Sequence, residues 1–581
     1  MPRPAQVPPA PAGLPDDPAG APLLSPAWHA ALWTLVLGVL AAGLFLPDLM
    51  VSDAPQDAVM ALRMFREGDW SHLVRDGQDY LDKPHLLFWS AMAGYRLFGV
   101  HDWSYRLIPV LVSLLGAFSA GRLGTRLYGR RAGQIAALLF ITAQHILLSD
   151  HDVRMEALLT GFTAFGLWQL VRWADTGELR SALAGAVGVG LAVGTKGMVA
   201  AALVGLCLVL YLWGRGRLRA LLSWQVAAGI AAFFLALAPV LVAYYLQFDL
   251  HPEKVVRGRT GVSGVRFILL GQSADRFGGG HGTASSRDYL FFFHTLLWAF
   301  LPWVPLLAGA WGARFRALWK GRLAAFHAAE QLTFLGPFVY IAVLNLSAFK
   351  LPHYLNVAFP LLAVLCAGWV DGLARAGARR GLGVLTRIQD ALVAALVLFT
   401  LALNGWSFPV HSWWIPAAAV PFVVALVLAL RLRDPLQRLW VPSAVAILLA
   451  NLFLNANFYP QLSRLQPGSA FARQVSTLPV DWSRTYFVDN DVFQPFQLYT
   501  RTLIPAVAPA QLRQAVADGR PAYALVTAAG REKLAAAGLA LRELADSPAC
   551  RITRITGPML VPSRREAYCP RAWLVEVRPG G

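Results

Sequence analysis

VSDAPQDAVMALRMFREGDWSHLVRDGQDYLDKPHLLFWSAMAGYRLFGVHDWSY, residues 51–105, is the polar interruption that fixes how the rest of the chain is read. It holds Asp53, Asp57, Asp69, Asp76, Asp79 and Asp82, then Lys83 and Pro84, in a protein of which only 14% is charged. Apolar runs long enough to cross a bilayer flank it. Two stretches inside it have helical spacing: Asp57 to Phe65, with Val59, Leu62, Met64 and Phe65 apolar, and His85 to Phe98, rich in Trp, Phe and Tyr. Both are short for a span and flanked by charge, so they read as interfacial helices lying along a membrane. A spanning hairpin over 85–121 is the alternative, but it would put a basic loop on the wrong side.

Outward from this loop the chain is apolar. Its 581 residues are 56% hydrophobic, which places it among polytopic membrane proteins. The net charge of +18 does not mark a nucleic-acid binder, because the cations recur as short Arg clusters between apolar runs. Residues 1–27, rich in Pro, Ala and Gly, are expected to be a disordered cytoplasmic N-terminus. The run from Trp28 to Leu46 is long enough to be a retained span rather than a cleaved signal. Further apolar runs lie at 104–121, 132–149, 157–172, 181–195, 198–213, 222–246, 289–310, 331–347, 355–370, 388–404, 414–430 and 439–456. The count is about thirteen spans.

Orientation follows from the basic residues in the short connections. Six alternating loops hold 20 Lys and Arg, among them Arg122, Arg126, Arg130, Arg131, Arg379 and Arg380. The short connections of the opposite set hold only Arg154, Lys196 and Lys350. The first set is therefore cytoplasmic, and residues 51–105 and the tail face outward. The expected organisation is an all-α polytopic membrane region over 28–456, followed over 457–581 by a small soluble α/β domain in the periplasm. In the tail, Tyr486–Val488, Thr502–Ile504, Tyr523–Thr527 and Trp573–Val577 read as strands, and 508–518 and 529–538 as helices. No nucleotide-binding loop appears there. Cys207 and Cys366 lie in apolar runs, whereas Cys550 and Cys569 lie in the tail and could pair in an oxidising compartment.

Ionisable groups at membrane depth are costly and mark functional sites. Here they gather on one side: Asp53, Asp82 and Lys83, then Asp150, Asp152, Arg154 and Glu156, then Lys196, and finally Lys350 to Tyr354. Arg257, Arg259 and Arg266 read more simply as interface anchors. Lys196 and Lys350 are lone cations at outer turns, where positive charge is disfavoured, and a bound phosphate would account for both. Carboxylates beside such cations stay ionised and can accept protons. Together they point to chemistry on a hydroxyl acceptor with a lipid phosphate as leaving group.

The order of these motifs resembles the GT-C superfamily of bacterial membrane glycosyltransferases, in particular the aminoarabinose lipid A transferase and protein O-mannosyltransferase-related group. Gly68-Asp69-Trp70, Asp82-Lys83-Pro84, Phe98-Gly99 and Arg106 carry the likeness in the first outer loop. Arg154 to Thr160, Thr195-Lys196-Gly197, Pro302-Trp303 and Lys350 to Tyr354 carry it further along. The chain departs from that pattern with Asp53-Ala54 where Asp-Glu is frequent, Asp82 where Glu is usual, Glu156 where Asp is usual, and Asp57 at a Tyr position. The resemblance implies an inverting hexosyl- or pentosyltransferase in the bacterial inner membrane. It would use a polyprenyl-phosphate sugar and a lipid, glycan or protein acceptor on the periplasmic face. It implies Asp53, Asp82 and Lys83 as catalytic residues and Asp57, Tyr80, Glu156, Lys196, Arg276, Lys350 and Tyr354 as substrate-binding residues. A divalent metal ion held by Asp82 and Glu156 is compatible with it. The rival class is a transporter or lipid flippase, which would place polar groups near the bilayer midplane on broken helices.

Overall fold

The computed structural model describes residues 23–272, 274–275, 288–321, 326–488 and 492–580. The first helix, α1 (Pro26–Phe45), opens where Ser25 Oγ accepts from Trp28 N, an N-cap followed at once by proline. After it the chain turns and forms α2 (Asp53–Glu67), capped by Ser52 Oγ on the Ala54 amide and ended by Gly68 at φ 69°. The helix begins four residues earlier than the spacing predicts, because Asp53 supplies the acidic first turn that the helix dipole favours. A two-stranded hairpin, β1 (Val74–Arg75) and β2 (Gln78–Asp79), precedes α3 (Leu86–Phe98). Gly94 is obligatory in α3: a Cβ there would sit 2.1 Å from the Ser104 carbonyl of the next helix.

Long helices follow: α4 (Asp102–Tyr128), α5 (Arg130–Ile141), α6 (Gln144–His151), α7 (Glu156–Thr176), α8 (Leu179–Lys196), α9 (Val199–Gly214) and α10 (Trp224–Tyr244). Among the described residues six helices are long and apolar enough to cross a membrane, or seven if α5 and α6, bent by 52°, form one span. Several of the other expected runs fold as shorter or interrupted helices. The run 289–310, for instance, breaks at Leu301–Trp303 into Phe291–Ala299 and Val304–Trp319, where Pro302 cannot continue a helix.

The main apolar core joins these helices, while a second cluster lies over the outer loop. It includes Leu62, Met64, Leu87, Phe88, Tyr95 and Tyr105 from the loop and α4, together with Val153, Met155 and Leu498. Arg106 locks the underside of this cap. Fully buried, it donates to the carbonyls of His151, Leu44 and Pro47 at 2.7, 3.2 and 2.7 Å.

The tail carries a four-stranded sheet in the order β3 (Thr485–Phe487), β4 (Ala522–Thr527), β6 (Arg571–Pro579), β5 (Leu539–Pro548). β3 and β4 are parallel and the other pairs antiparallel. Strand β5 is not foreseen by alternation, since charges interrupt it and a register shift falls between Glu543 and Ala545. Thr502–Ile504 is not a strand of the sheet. The segment just beyond it meets β3 through a single bridge, Phe487 with Ala506. Cys550 and Cys569 are disulfide-bonded. The tail grips the start of the outer loop: Gln466 accepts from Val51 N and donates to Leu49 O, each at 2.7 Å, and Tyr499 Oη accepts from Leu49 N at 2.9 Å.

Candidate active site

Asp53 and Asp57 are one helical turn apart on α2, so both carboxylates project from one face. The ammonium of Lys83 lies between them, 3.0 Å from Asp53 Oδ2 and 3.5 Å from Asp57 Oδ2. Their environments differ. The Asp53 side chain is 45% exposed to the cavity, whereas that of Asp57 is 0% exposed. The charge of Lys83 holds the Asp53 carboxyl well below the usual carboxylate range, against the opposing effect of burial. For Asp57, burial outweighs Lys83 and pushes the carboxyl up to about 7.

Helix ends bring the other charges to the same place. Asp152 accepts from Ser52 Oγ at 3.0 Å and from Arg154 at 2.9 Å, tying the turn before α7 to the cap of α2. Glu156, first residue of α7, is ion-paired with Lys196, last residue of α8, and His353 Nε2 lies 3.4 Å from the same carboxylate oxygen. The Lys196 ammonium stands 4.4 Å from the centre of the Tyr354 ring, within cation–π range. Asp82 faces Tyr80 Oη at 3.4 Å and Arg257 at 3.6 Å.

Three cavities meet around these groups. One of 360 Å³ is lined by Asp53, Asp82, Lys83, Arg154, Glu156, Lys196, His353 and Tyr354. A second, of 410 Å³, shares Asp53, Asp82 and Lys83 and adds Gln56, Tyr80 and Arg257. The third, of 390 Å³, shares Lys196 and Tyr354 but is otherwise mostly apolar, lined by Leu159, Met198, Val199, Leu270, Val343 and Leu344. A polar chamber with paired acids and cations thus adjoins a mostly apolar slot.

Of the expected site residues, Asp53, Asp57, Tyr80, Asp82, Lys83, Glu156, Lys196 and Tyr354 line these cavities or pair with groups that do. Lys350 instead lies 5.9 Å from the Tyr289 ring centre, and the cavity wall there is made by its neighbours Phe349 and Leu351. Arg276 lies outside the described residues. Three groups were not assigned a role from sequence. His353 sits inside a quoted motif without a role, and Arg154 appears as one more outer charge. Arg257, expected as an interface anchor, binds Asp82 and the Leu81 carbonyl from a backbone at φ 52°. A non-glycine residue in that conformation is uncommon, but no sequence signal announces it.

Asp82 and Glu156 do not make a convincing metal pair. Glu156 is compensated by Lys196 and His353, and Asp82 by Arg257. Among the described residues no cluster of three His, Cys, Asp or Glu converges.

Residues 82–243 match the family described as dolichyl-phosphate-mannose-protein mannosyltransferase. The undecaprenyl phosphate-alpha-4-amino-4-deoxy-L-arabinose arabinosyl transferase of Pseudomonas aeruginosa (strain UCBPP-PA14) is 27% identical over 436 residues, covering 68% of this chain and 75% of the relative. The enzyme of the same name from Edwardsiella ictaluri is 26% identical over 338 residues, 55% of each chain. The crystal structure of ArnT from Cupriavidus metallidurans bound to undecaprenyl phosphate superposes with a TM-score of 0.70 at 20% identity, covering 95% of this chain and 98% of that one. Its apo form gives 0.67 over the same shares. The fold is that of the ArnT structures, with a cluster of charges at helix ends and several helices long and apolar enough to cross a membrane. Over about two thirds of its length the chain is similar to aminoarabinose transferases, and over residues 82–243 to the mannosyltransferase family. The transporter reading finds no support in these likenesses.

Proposed function

We propose that the chain transfers a sugar from a polyprenyl-phosphate carrier to an acceptor on the periplasmic side, at Asp53 and Lys83. The observation that carries this reading is the junction at Lys196 and Tyr354, where the apolar slot opens into the chamber holding Asp53 and Lys83. A prenyl chain fits the slot and its phosphate reaches the cations.

In the resting site Lys83 lies against both Asp53 and Asp57, with the ionised Asp53 balancing its charge. An incoming phosphate competes for that ammonium, and the Asp53 carboxylate is released toward the acceptor. The acceptor hydroxyl donates its hydrogen bond to Asp53, and its oxygen attacks the anomeric carbon. The new carbon–oxygen bond forms as the bond to the carrier phosphate breaks. The electron pair leaves with the phosphate, and the proton passes to Asp53. Lys83, Lys196 and Arg257 stabilise the charge growing on the departing phosphate, and attack opposite it inverts the anomeric centre. Asp82 holds Arg257 and Tyr80 in place. No step needs the divalent ion that Asp82 and Glu156 could have held. The outer loop and sheet-bearing tail then face the periplasm and the N-terminus the cytoplasm, as the basic loops require.

The test is transfer of radiolabel from a polyprenyl-phosphate sugar by the purified chain. Asp53→Asn should abolish transfer while undecaprenyl phosphate still raises the melting temperature. Transfer at the wild-type rate by this variant removes Asp53 from the mechanism.

A further inference from the structure

The polar chamber does not end at Asp53. Through Gln56 and Arg75 the 410 Å³ cavity continues into one of 440 Å³, lined by α2, the β1–β2 hairpin and residues 494–506 of the tail. Gln56 and Gln494, both on its wall, are each only 8% exposed. Neither carboxamide makes a hydrogen bond to any other described residue. Both carboxamides open onto the cavity rather than into packed protein, and two such free donor–acceptor groups on one wall suit a polar ligand. Gln56 lies one turn from Asp53 on α2 and lines both cavities, so a molecule held there reaches the reacting carboxylate.

We infer that this corridor between α2 and the tail is the acceptor site, and that it takes the hydroxyl groups of a glycan headgroup. The inference rests on the glycosyltransferase reading above and specifies its second substrate. A carboxamide donates and accepts at once, as a sugar hydroxyl does, and Gln56 and Gln494 are joined here by Gln497 and the guanidinium of Arg75. Met60 and Ile504 supply apolar surface for the carbohydrate's CH faces. An extended peptide would pair instead with free backbone on residues 503–506. That edge is blunted on both sides: Ile504 N donates to Gln497 Oε1 at 3.0 Å, while Pro505 O accepts from Phe487 N and Val507 N donates to Phe487 O. The donor enters past Lys196 and Tyr354 and the acceptor past Gln494 and Gln56, so the two substrates meet at Asp53 from separate openings.

The experiment uses the full chain in lipid nanodiscs. Its donor is the polyprenyl-phosphate-sugar fraction from cells fed ¹⁴C-glucose, and its acceptor is an unlabelled total-membrane extract. The wild-type chain should move label into a protease-resistant, glycan-bearing fraction. Gln56→Ala and Gln494→Ala should each raise the extract concentration needed for half-maximal transfer by about tenfold, and Gln494→Trp should block transfer by filling the cavity. In all three, undecaprenyl phosphate should raise the melting temperature as in the wild type, which shows that the fold and donor slot persist. Normal transfer by the Gln494 variants overturns the site. Label in a protease-sensitive fraction overturns the glycan assignment in favour of a protein acceptor. A wild-type chain that neither shifts with undecaprenyl phosphate nor moves label overturns the glycosyltransferase reading itself, and this inference with it.

Discussion

Asp53 and Asp57 share the ammonium of Lys83 yet are driven in opposite directions, Asp53 toward permanent ionisation and Asp57 up to about 7. The cause is depth. Asp53 opens onto the cavity and keeps the benefit of the positive charge. Asp57 loses more by burial than Lys83 returns. One carboxylate is therefore ionised and open to the cavity, and the other is buried and titrates beside the same cation.

Asp53→Asn and Asp57→Asn should separate these roles. Removing the Asp53 charge is expected to lower kcat by about 10²–10⁴-fold, the range for loss of a positioned proton acceptor. Asp57→Asn keeps the shape and mimics the protonated state, so kcat at pH 6 should stay within about threefold of wild type. Equal losses in both variants would show that the pair acts as one unit.

The same pair predicts a pH dependence. Below about 7 Asp57 is protonated, and Lys83 answers to Asp53 alone. Above it, a second carboxylate adds negative charge where the carrier phosphate must bind. The donor KM should therefore rise as pH passes through about 7, and Asp57→Asn should flatten the rise. For stability the sign is the same. The Asp57 pKa is raised from 3.8 to about 7 on folding, so its contribution is complete below 3.8 and is lost as pH rises through about 7. Arg154, Lys83 and Asp53 act on Asp57 and are charged throughout this window. Melting temperature followed from pH 5 to 8 in wild type and Asp57→Asn checks it.

The local motifs were legible because charge is so rare in this chain. Asp53, Lys83, Glu156 and Lys196 stand out against apolar surroundings, and alternation of basic loops places them on one side. Span counting was less legible, since a run of apolar residues does not reveal whether Pro302 will break it. Arg257 reads as an anchor because sequence shows only that it is basic, not that it turns back toward Asp82. The pairing of Gln56 with Gln494 was invisible, as 438 positions separate them in sequence and their shared cavity exists only after the tail docks on Leu49 and Val51.

Glu156 and Lys196 allow a test of donor binding that is not confounded by folding. Lys196→Ala removes the cation beside a buried carboxylate, and breaking such a pair typically costs about 3–5 kcal/mol. The single variant should therefore melt well below wild type. Glu156→Gln/Lys196→Ala removes both charges and should recover most of that loss, yet it still lacks the ammonium at the mouth of the apolar slot. Its undecaprenyl phosphate affinity should remain about tenfold or more below wild type. Recovery of affinity together with stability would show that Lys196 serves only Glu156.

The disulfide yields the last prediction. Cys550 and Cys569 close the excursion between β5 and β6, and that excursion lies on the membrane-proximal helices. Thr553 Oγ1 donates to Val51 O at 3.2 Å, Arg565 donates to Ser407 O at 2.5 Å, and the Arg565 guanidinium covers the Phe408 ring at 3.7 Å. Val51 is two residues from Asp53, so this strap bears on the start of α2. Freeing it restores chain entropy to the loop between cysteines 19 positions apart, an effect of about 2–4 kcal/mol in soluble proteins. Cys550→Ser/Cys569→Ser should make trypsin cleave residues 551–568, at Arg551, Arg554, Arg564 and Arg565, faster than it cleaves the oxidised protein. Because the strap touches Val51 and not the apolar slot, the variant should lose kcat while undecaprenyl phosphate binding stays within about twofold of wild type. A parallel fall in both would place the strap's influence on the whole outer cap rather than on Asp53.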